Sequence, residues 1–140
     1  MTIVIDTHAL VPMLATNHPI HEIRRMWMRG EFVLALTTEI LLENEEIAKP
    51  RIGDLRWHEF SILLDRVAVL RNNLLRVSPS FRFRLIAADP DDDKFADCAI
   101  AAEANYIITS DHHFDALTGS GYKPTPVLPE EFIRRHLDGV

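Results

Sequence analysis

The sequence predicts an α/β sandwich around a mostly parallel sheet, and three observations carry that expectation. Short apolar runs rich in β-branched residues alternate along the chain with segments of helical period, the order produced by parallel strands joined through crossover helices. The 140 residues are 47% hydrophobic, enough for one compact core and too few for two, so residues 1–140 are expected to form one domain. There is no internal repeat, linker or low-complexity stretch to divide them.

The elements follow in order. Thr2–Ile5 reads as a buried strand that ends at Asp6. Ala9 to Leu14 is expected to form a short helix interrupted by Pro12. A second helix carries Ile20, Ile23, Met26 and Trp27, with Pro19 near its start and Gly30 closing it. Phe32–Leu36 is the next strand. Thr37 or Thr38 can cap a third helix bearing Ile40, Leu41 and Ile47, with Pro50 beyond its end. Asp54 is expected to cap a long fourth helix, where Phe60, Leu63, Leu64, Val67 and Leu70 recur at i, i+3, i+4, i+7. Leu74–Val77 reads as a strand. Ser78 to Arg84 is ambiguous, since Phe81, Phe83 and Leu85 alternate without flanking turn residues. Asp89–Asp93 is a loop and helix start, the helix running from Lys94 to Ala104. Tyr106–Ile108 is a strand ending near Asp111, Val127 marks a last strand, and Pro129 opens a closing helix through Leu137.

Composition excludes several classes. One cysteine, Cys98, rules out an internal disulfide framework and fits a reducing cytoplasm. The opening MTIVIDTHAL has no basic segment ahead of its apolar run, so a signal peptide is not expected, and no apolar stretch is long enough to cross a bilayer. The formal net charge of −6 argues against nucleic acid at first sight. The position of the acids matters more than their sum, because bound divalent cations reverse the local field, and the arginines spread along the chain (Arg24, Arg25, Arg29, Arg71, Arg76, Arg82, Arg84, Arg134 and Arg135) can border such a site.

The acids converge on one edge of the expected sheet. Asp6 and Asp111 follow strands, and Glu43 and the Asp91-Asp92-Asp93 run lie near the starts of crossover helices, which begin at that same edge. Two carboxylates about 5 Å apart repel by roughly 3 kcal/mol at an effective dielectric near 20. Divalent cations with a preference for hard oxygen ligands, Mg²⁺ or Mn²⁺, remove that cost and promote phosphodiester hydrolysis. Each acid also has a plainer reading: Asp6 and Asp111 stand where helix caps are wanted, Glu43 is on its own more often a solvated helix residue, and one or two of Asp91–Asp93 can answer a helix dipole. Asp97, one turn further on, is a weaker metal candidate and reads as an exposed acid.

The segments IVIDTHALV, EILLENEEIAKPRI and DPDDDKFADCAIAAEANYIITSD, in that order, resemble the PIN-domain family, and within it the ribonuclease toxins of toxin–antitoxin pairs. The resemblance implies a three-layer α/β/α sandwich. It implies Asp6, Glu43, Asp92 or Asp93, and Asp111 as the four acids of a Mg²⁺ or Mn²⁺ site that cleaves RNA, with Thr7 and Thr109 as lining hydroxyls. It further implies a homodimer blocked by a separate antitoxin protein, working in the cytoplasm away from membranes. Two positions depart from the family pattern: His8 stands where Asn is usual, and His112 and His113 follow Asp111 where another acid is usual.

The rivals are weaker. Seven histidines invite a zinc hydrolase, but no HExxH occurs and neither His18/His21 nor His112/His113 has a convincing set of partners. A haloacid-dehalogenase-like phosphatase needs an aspartate where His8 stands, a phospho-receiver domain needs a late strand-end lysine, and no glycine-rich nucleotide loop is present. The serious alternative is a catalytically degenerate PIN-like module that binds RNA or a protein. Trp27 and Trp57 read as core or interface anchors.

Overall fold

A computed structural model describes residues 1–15, 17–86 and 89–137. Its sheet contains β1 (Thr2–Ile5), β2 (Val33–Leu36), β3 (Leu74–Arg76), β4 (Tyr106–Ile108) and β5 (Thr125–Val127), in the spatial order β3-β2-β1-β4-β5. Every pairing is parallel, with Ile3 beside Leu34 on one side of β1 and Ile5 beside Ile108 on the other. Two of the central strand's residues, Ile3 and Val4, are fully buried, as a strand covered on both faces requires.

The chain leaves β1 in one direction to build β2 and β3, then returns to the other side of β1 for β4 and β5. The reversal makes the crevice between the carboxyl ends of β1 and β4 the topological switch point, the usual ligand site of open parallel sheets. Right-handed crossovers then require the helices before and after the reversal to lie on opposite faces. The first group is α1 (Thr7–Met13), α2 (His21–Met28), α3 (Thr38–Ile52) and α4 (Asp54–Arg71). After the reversal comes α5 (Asp93–Ala101), which packs on β1, β2 and β4, whereas the closing helix α6 (Pro129–Leu137) returns to contact α2 of the first group. This is the α/β sandwich expected from the sequence.

Several local expectations need correction. Thr7–Met13 is helical through Pro12, because a proline one residue from the end removes a single hydrogen bond. Pro50 likewise lies inside α3 rather than beyond it, and the helix still closes through Gly53 N–H to Lys49 O at 2.9 Å. Only Gly53 separates α3 from α4. Its φ of 90° turns the chain with no other linking residue, so Asp54 is already helical and makes no cap. On α4, Trp57, Phe60, Leu64 and Val67 are buried, whereas Leu70 in the last turn is 81% exposed.

The helix of the acidic segment is also shorter than expected. A 3-10 turn over Pro90–Asp92 leads into α5, which stops at Ala101. Glu103 takes a φ of 52°, and Ala104 N–H reaches back to Ala99 O at 2.9 Å, the six-to-one bond of a Schellman ending. A second 3-10 segment, His112–Leu117, follows Asp111 where no element was expected. Trp27 and Trp57 are core anchors. Trp27 Nε1 donates to Asn73 O at 3.0 Å and Asn73 Nδ2 donates to Trp27 O, tying α2 to the start of β3.

Candidate metal centre

β1 and β4 deliver their last residues side by side, and the polar groups that follow meet at once. Asp6 is 3% exposed; its N–H donates to Ile108 O, and its carbonyl starts α1. One carboxylate oxygen caps that helix, accepting from His8 N–H at 3.3 Å, and the other accepts from the Thr109 hydroxyl at 2.8 Å. Thr109 Oγ1 in turn accepts from Asp111 N–H at 3.0 Å, and Asp111 Oδ1 accepts from His113 N–H at 2.9 Å. The cap role foreseen for Asp6 and Asp111 is real, yet it occupies only one oxygen of each.

The 3-10 turn before α5 brings the next acids. Ligand atoms of Asp89, Asp92, Asp111 and His113 lie within 4.8 Å of one another. His113 Nδ1 stands 3.3 Å from Asp111 Oδ1 and 3.6 Å from Asp92 Oδ2. That Asp92 oxygen is buried and accepts no hydrogen bond from any described residue. Asp92 sits at the N-terminal boundary of α5 without making a side-chain cap, so helix capping does not account for its placement.

The electrostatics show the same crowding. Burial, then the adjoining Asp111, Asp89 and Asp6 carboxylates, push the Asp92 carboxyl up to about 7. Asp111 is held below the usual carboxylate range, chiefly by the His113 N–H. Burial raises Asp6, against the opposing Thr109 and His8 donors. The cluster therefore holds a proton where an ordinary aspartate pair would be ionised. An acceptor-only oxygen, buried and aimed among other acids, fits a hard divalent cation as well as it fits that proton.

Glu43 stands apart from this cluster, linked to it through Thr7. Thr7 Oγ1 donates to Glu43 Oε2 at 2.5 Å and lies 2.8 Å from the side-chain oxygen position of buried Asn44. A hydroxyl has one proton, so both neighbours are satisfied together when the Asn44 amide nitrogen faces Thr7. Lys94 Nζ donates to the other Glu43 oxygen at 2.7 Å, and the two side chains are only 14% and 21% exposed. Burial works against the Lys94 ammonium, but Glu43 and the Glu39 and Asp91 charges behind it together hold it above its ordinary value.

Asp93 and Asp97 point elsewhere. Asp93 Oδ1 accepts from Ile86 N–H at 2.9 Å, and Asp97 Oδ1 accepts from Phe83 N–H at 3.0 Å. Asp97 is 5% exposed, which corrects the expectation of a surface acid: one turn after Asp93, it faces the same incoming strap of chain. His8 is exposed at the mouth of the site. Of the residues singled out in the sequence, Asp6, Asp92, Thr109, Asp111 and His113 share one connected cluster, and Thr7 joins Glu43 to Asp6.

Asp89, Asn44 and Lys94 were not foreseen. Asp89 ahead of Pro90 looks like a turn-former, and it is one, accepting from Asp91 N–H at 3.1 Å. Asn44 directly follows Glu43, and Lys94 directly follows the aspartate run; both adjacencies were available as signals. No curated protein and no solved structure matches the chain. A sequence model of the PIN domain matches residues 2–113, a span that runs from β1 through Asp111 and His113, and so the chain belongs to the PIN-domain family.

Proposed function

We propose that this protein is a metal-dependent endoribonuclease, and that it is the toxin of a toxin–antitoxin pair. The observation that carries the nuclease reading is the buried Asp92 oxygen that accepts no hydrogen bond from a described residue, beside Asp111, Asp89 and His113 at the switch point of a nuclease fold. Asp6, Asp92 and Asp111 would hold Mg²⁺ or Mn²⁺, with Asp89 and His113 at the rim and Glu43 as the fourth acid. A divalent ion bound there supplies neutralising charge at the phosphoryl oxygens and acidifies water.

The chain's own groups do the positioning. Thr109 fixes one Asp6 oxygen and the Asp111 backbone together, so the two acids keep a set spacing. Thr7 and Lys94 orient the Glu43 carboxylate, and Lys94 balances its charge. His113 Nδ1 stands 3.3 Å from Asp111 and 3.6 Å from Asp92 at the rim of the acid cluster, where it can contact a ligand held by both. The toxin role, with an antitoxin protein as its inhibitor, is supported by the motif resemblance in DPDDDKF and TSD. A homodimer is supported by Leu55, Ile62 and Val69, exposed at seven-residue spacing along α4.

One observation favours a second reading, a degenerate module that binds RNA or protein without cleaving. His113 in its charged form can neutralise Asp92 and Asp111 in place of an ion. Purified protein incubated with mixed RNA, with Mn²⁺, Mg²⁺ or chelator, separates the readings. The ribonuclease reading expects cleavage that needs metal and disappears in Asp6→Asn. Inert RNA with no metal-induced rise in melting temperature would leave the binding module.

A further inference from the structure

The segment between β3 and α5 contains features that the acidic centre does not use. Phe81, Arg82, Phe83 and Arg84 alternate aromatic and cationic side chains in a stretch without helix or strand. Phe81 is 72% exposed, far more than an aromatic ring needs to be in a chain with an available core. Its ring centre lies 6.3 Å from that of Phe83, and Phe83 lies 5.3 Å from Tyr122, so three rings form a continuous ladder at the surface. Arg82 and Arg84 are exposed and make no hydrogen bond with a described residue, although the Arg82 charge is felt by Asp97.

The strap is built rather than loose. Asp97 and Asp93, one helical turn apart on α5, accept the Phe83 and Ile86 backbone N–H groups and pin the strap from beneath. Between those two anchors Arg84 is held at a φ of 53°, a left-handed conformation disfavoured for any residue with a Cβ. The left-handed turn at Arg84, fixed between two backbone anchors, gives the strap one set course along α5.

The position is equally specific. Arg82, Arg84 and Lys94 line a cleft of about 530 Å³ together with four acids, Glu39, Asp91, Asp93 and Asp97. Phe81 lines a smaller adjoining hollow that shares the Arg82 and Lys94 walls. Lys94 is the residue bonded to Glu43, so the cleft beside the strap reaches the fourth acid of the proposed site. One oxygen of Asp93 and one of Asp97 are taken by backbone donors, while Asp97 also feels the Arg82 charge, so Arg84 is the cation of the strap least engaged by these acids.

We propose that residues 81–86 are the surface that receives an unpaired stretch of RNA, with a base stacked on Phe81 and the flanking phosphates on Arg82 and Arg84. The proposal rests on the ribonuclease reading and adds where the substrate lies beyond the scissile bond. Stacking on an aromatic face tolerates any base, and arginine meets phosphate through a planar pair of donors. A duplex hides its base faces, so the surface distinguishes single from double strands.

The test is fluorescence anisotropy of a labelled single-stranded oligoribonucleotide in Mg²⁺, with Asp92→Asn as the background so that the RNA stays whole. Adding Phe81→Ala should weaken binding about ten-fold. Adding Arg82→Gln and Arg84→Gln should reduce the slope of log affinity against log salt by about 0.7 for each phosphate that the protein no longer neutralises. Circular dichroism verifies that each variant keeps its fold. Unchanged affinity and salt slope in both variants would overturn the proposal, as would a duplex bound as tightly as the single strand. No binding of RNA by the parent protein would also overturn it and would turn attention to a protein partner for the strap. Cleavage by the wild type is measured in parallel. Strap-dependent binding without cleavage upholds the surface and sinks the nuclease reading; cleavage with strap-independent binding does the reverse.

Discussion

Asp92→Asn should stabilise the protein when metal is absent and weaken its response when metal is added. Asparagine has nearly the same shape and cannot ionise, so the substitution isolates the charge. Ligand atoms of Asp92, Asp89 and Asp111 lie within 4.8 Å of each other. Unit charges at that spacing repel by roughly 3 kcal/mol at an effective dielectric near 20. The Asp92 and Asp111 side chains are 13% and 32% exposed, so solvent screening reduces the net gain to about 1–2 kcal/mol. For a chain of this size that is a rise in melting temperature of about 3–8 °C.

The pH dependence gives the sign. The folded Asp92 carboxyl lies at about 7 against an ordinary 3.8, so the folded wild type binds its proton more tightly than the unfolded chain does. That contribution is fully present below about pH 4 and lost as pH rises through 7. The advantage of Asp92→Asn is therefore largest near pH 8.5 and vanishes towards pH 4. Scanning calorimetry in chelator at several pH values measures it, and repeating the scans with Mg²⁺ should raise the wild type more than the variant. A variant that melts below wild type at pH 8.5 refutes the reasoning. Asp92 would then be stabilising through its negative charge, against charged His113 at 3.6 Å or the positive end of α5, and asparagine lacks that charge.

Other substitutions probe the supports. Thr109→Val removes the hydroxyl that serves both Asp6 and Asp111, and should cost about 1–3 kcal/mol in chemical denaturation. It should also weaken any metal-induced stabilisation. Lys94→Met leaves Glu43 half-buried without its cation and should cost about 1–2 kcal/mol, part of which Mg²⁺ restores if Glu43 belongs to the site. Equal destabilisation with and without Mg²⁺ would confine Lys94 to a structural role. Val69→Arg on α4 should shift sedimentation from dimer to monomer, while a wild type that sediments only as monomer removes the dimer reading.

The strands and the longer helices were legible because their signals are local. Thr2–Ile5 and Tyr106–Ile108 appear with the bounds that their β-branched and apolar residues suggest, and the Pro129–Leu137 helix begins at its proline. Errors gathered at the element ends. Pro12 and Pro50 sit so close to helix termini that each removes one hydrogen bond instead of ending the helix early, and a periodicity argument cannot see that difference. Gly53 as the whole connection between two helices likewise depends on a φ of 90° that the letters alone do not specify.

By itself the sequence determined which acids could meet. A parallel sheet has one carboxyl edge, so any aspartate that follows a strand, or opens the helix leading to the next one, arrives at that edge whatever the packing details. Tertiary structure decided what each acid then does. Asp92 and Asp93 are neighbours in a run of three, and a step of about 100° around the helix sends one into the carboxylate cluster and the other to the Ile86 N–H. Asp97 became a buried backbone anchor because the 83–86 strap happens to cross above it, and Glu43 acquired Lys94 across 51 positions of sequence. Those outcomes depend on which donors distant segments bring within about 3 Å, a distance that only the packed chain defines.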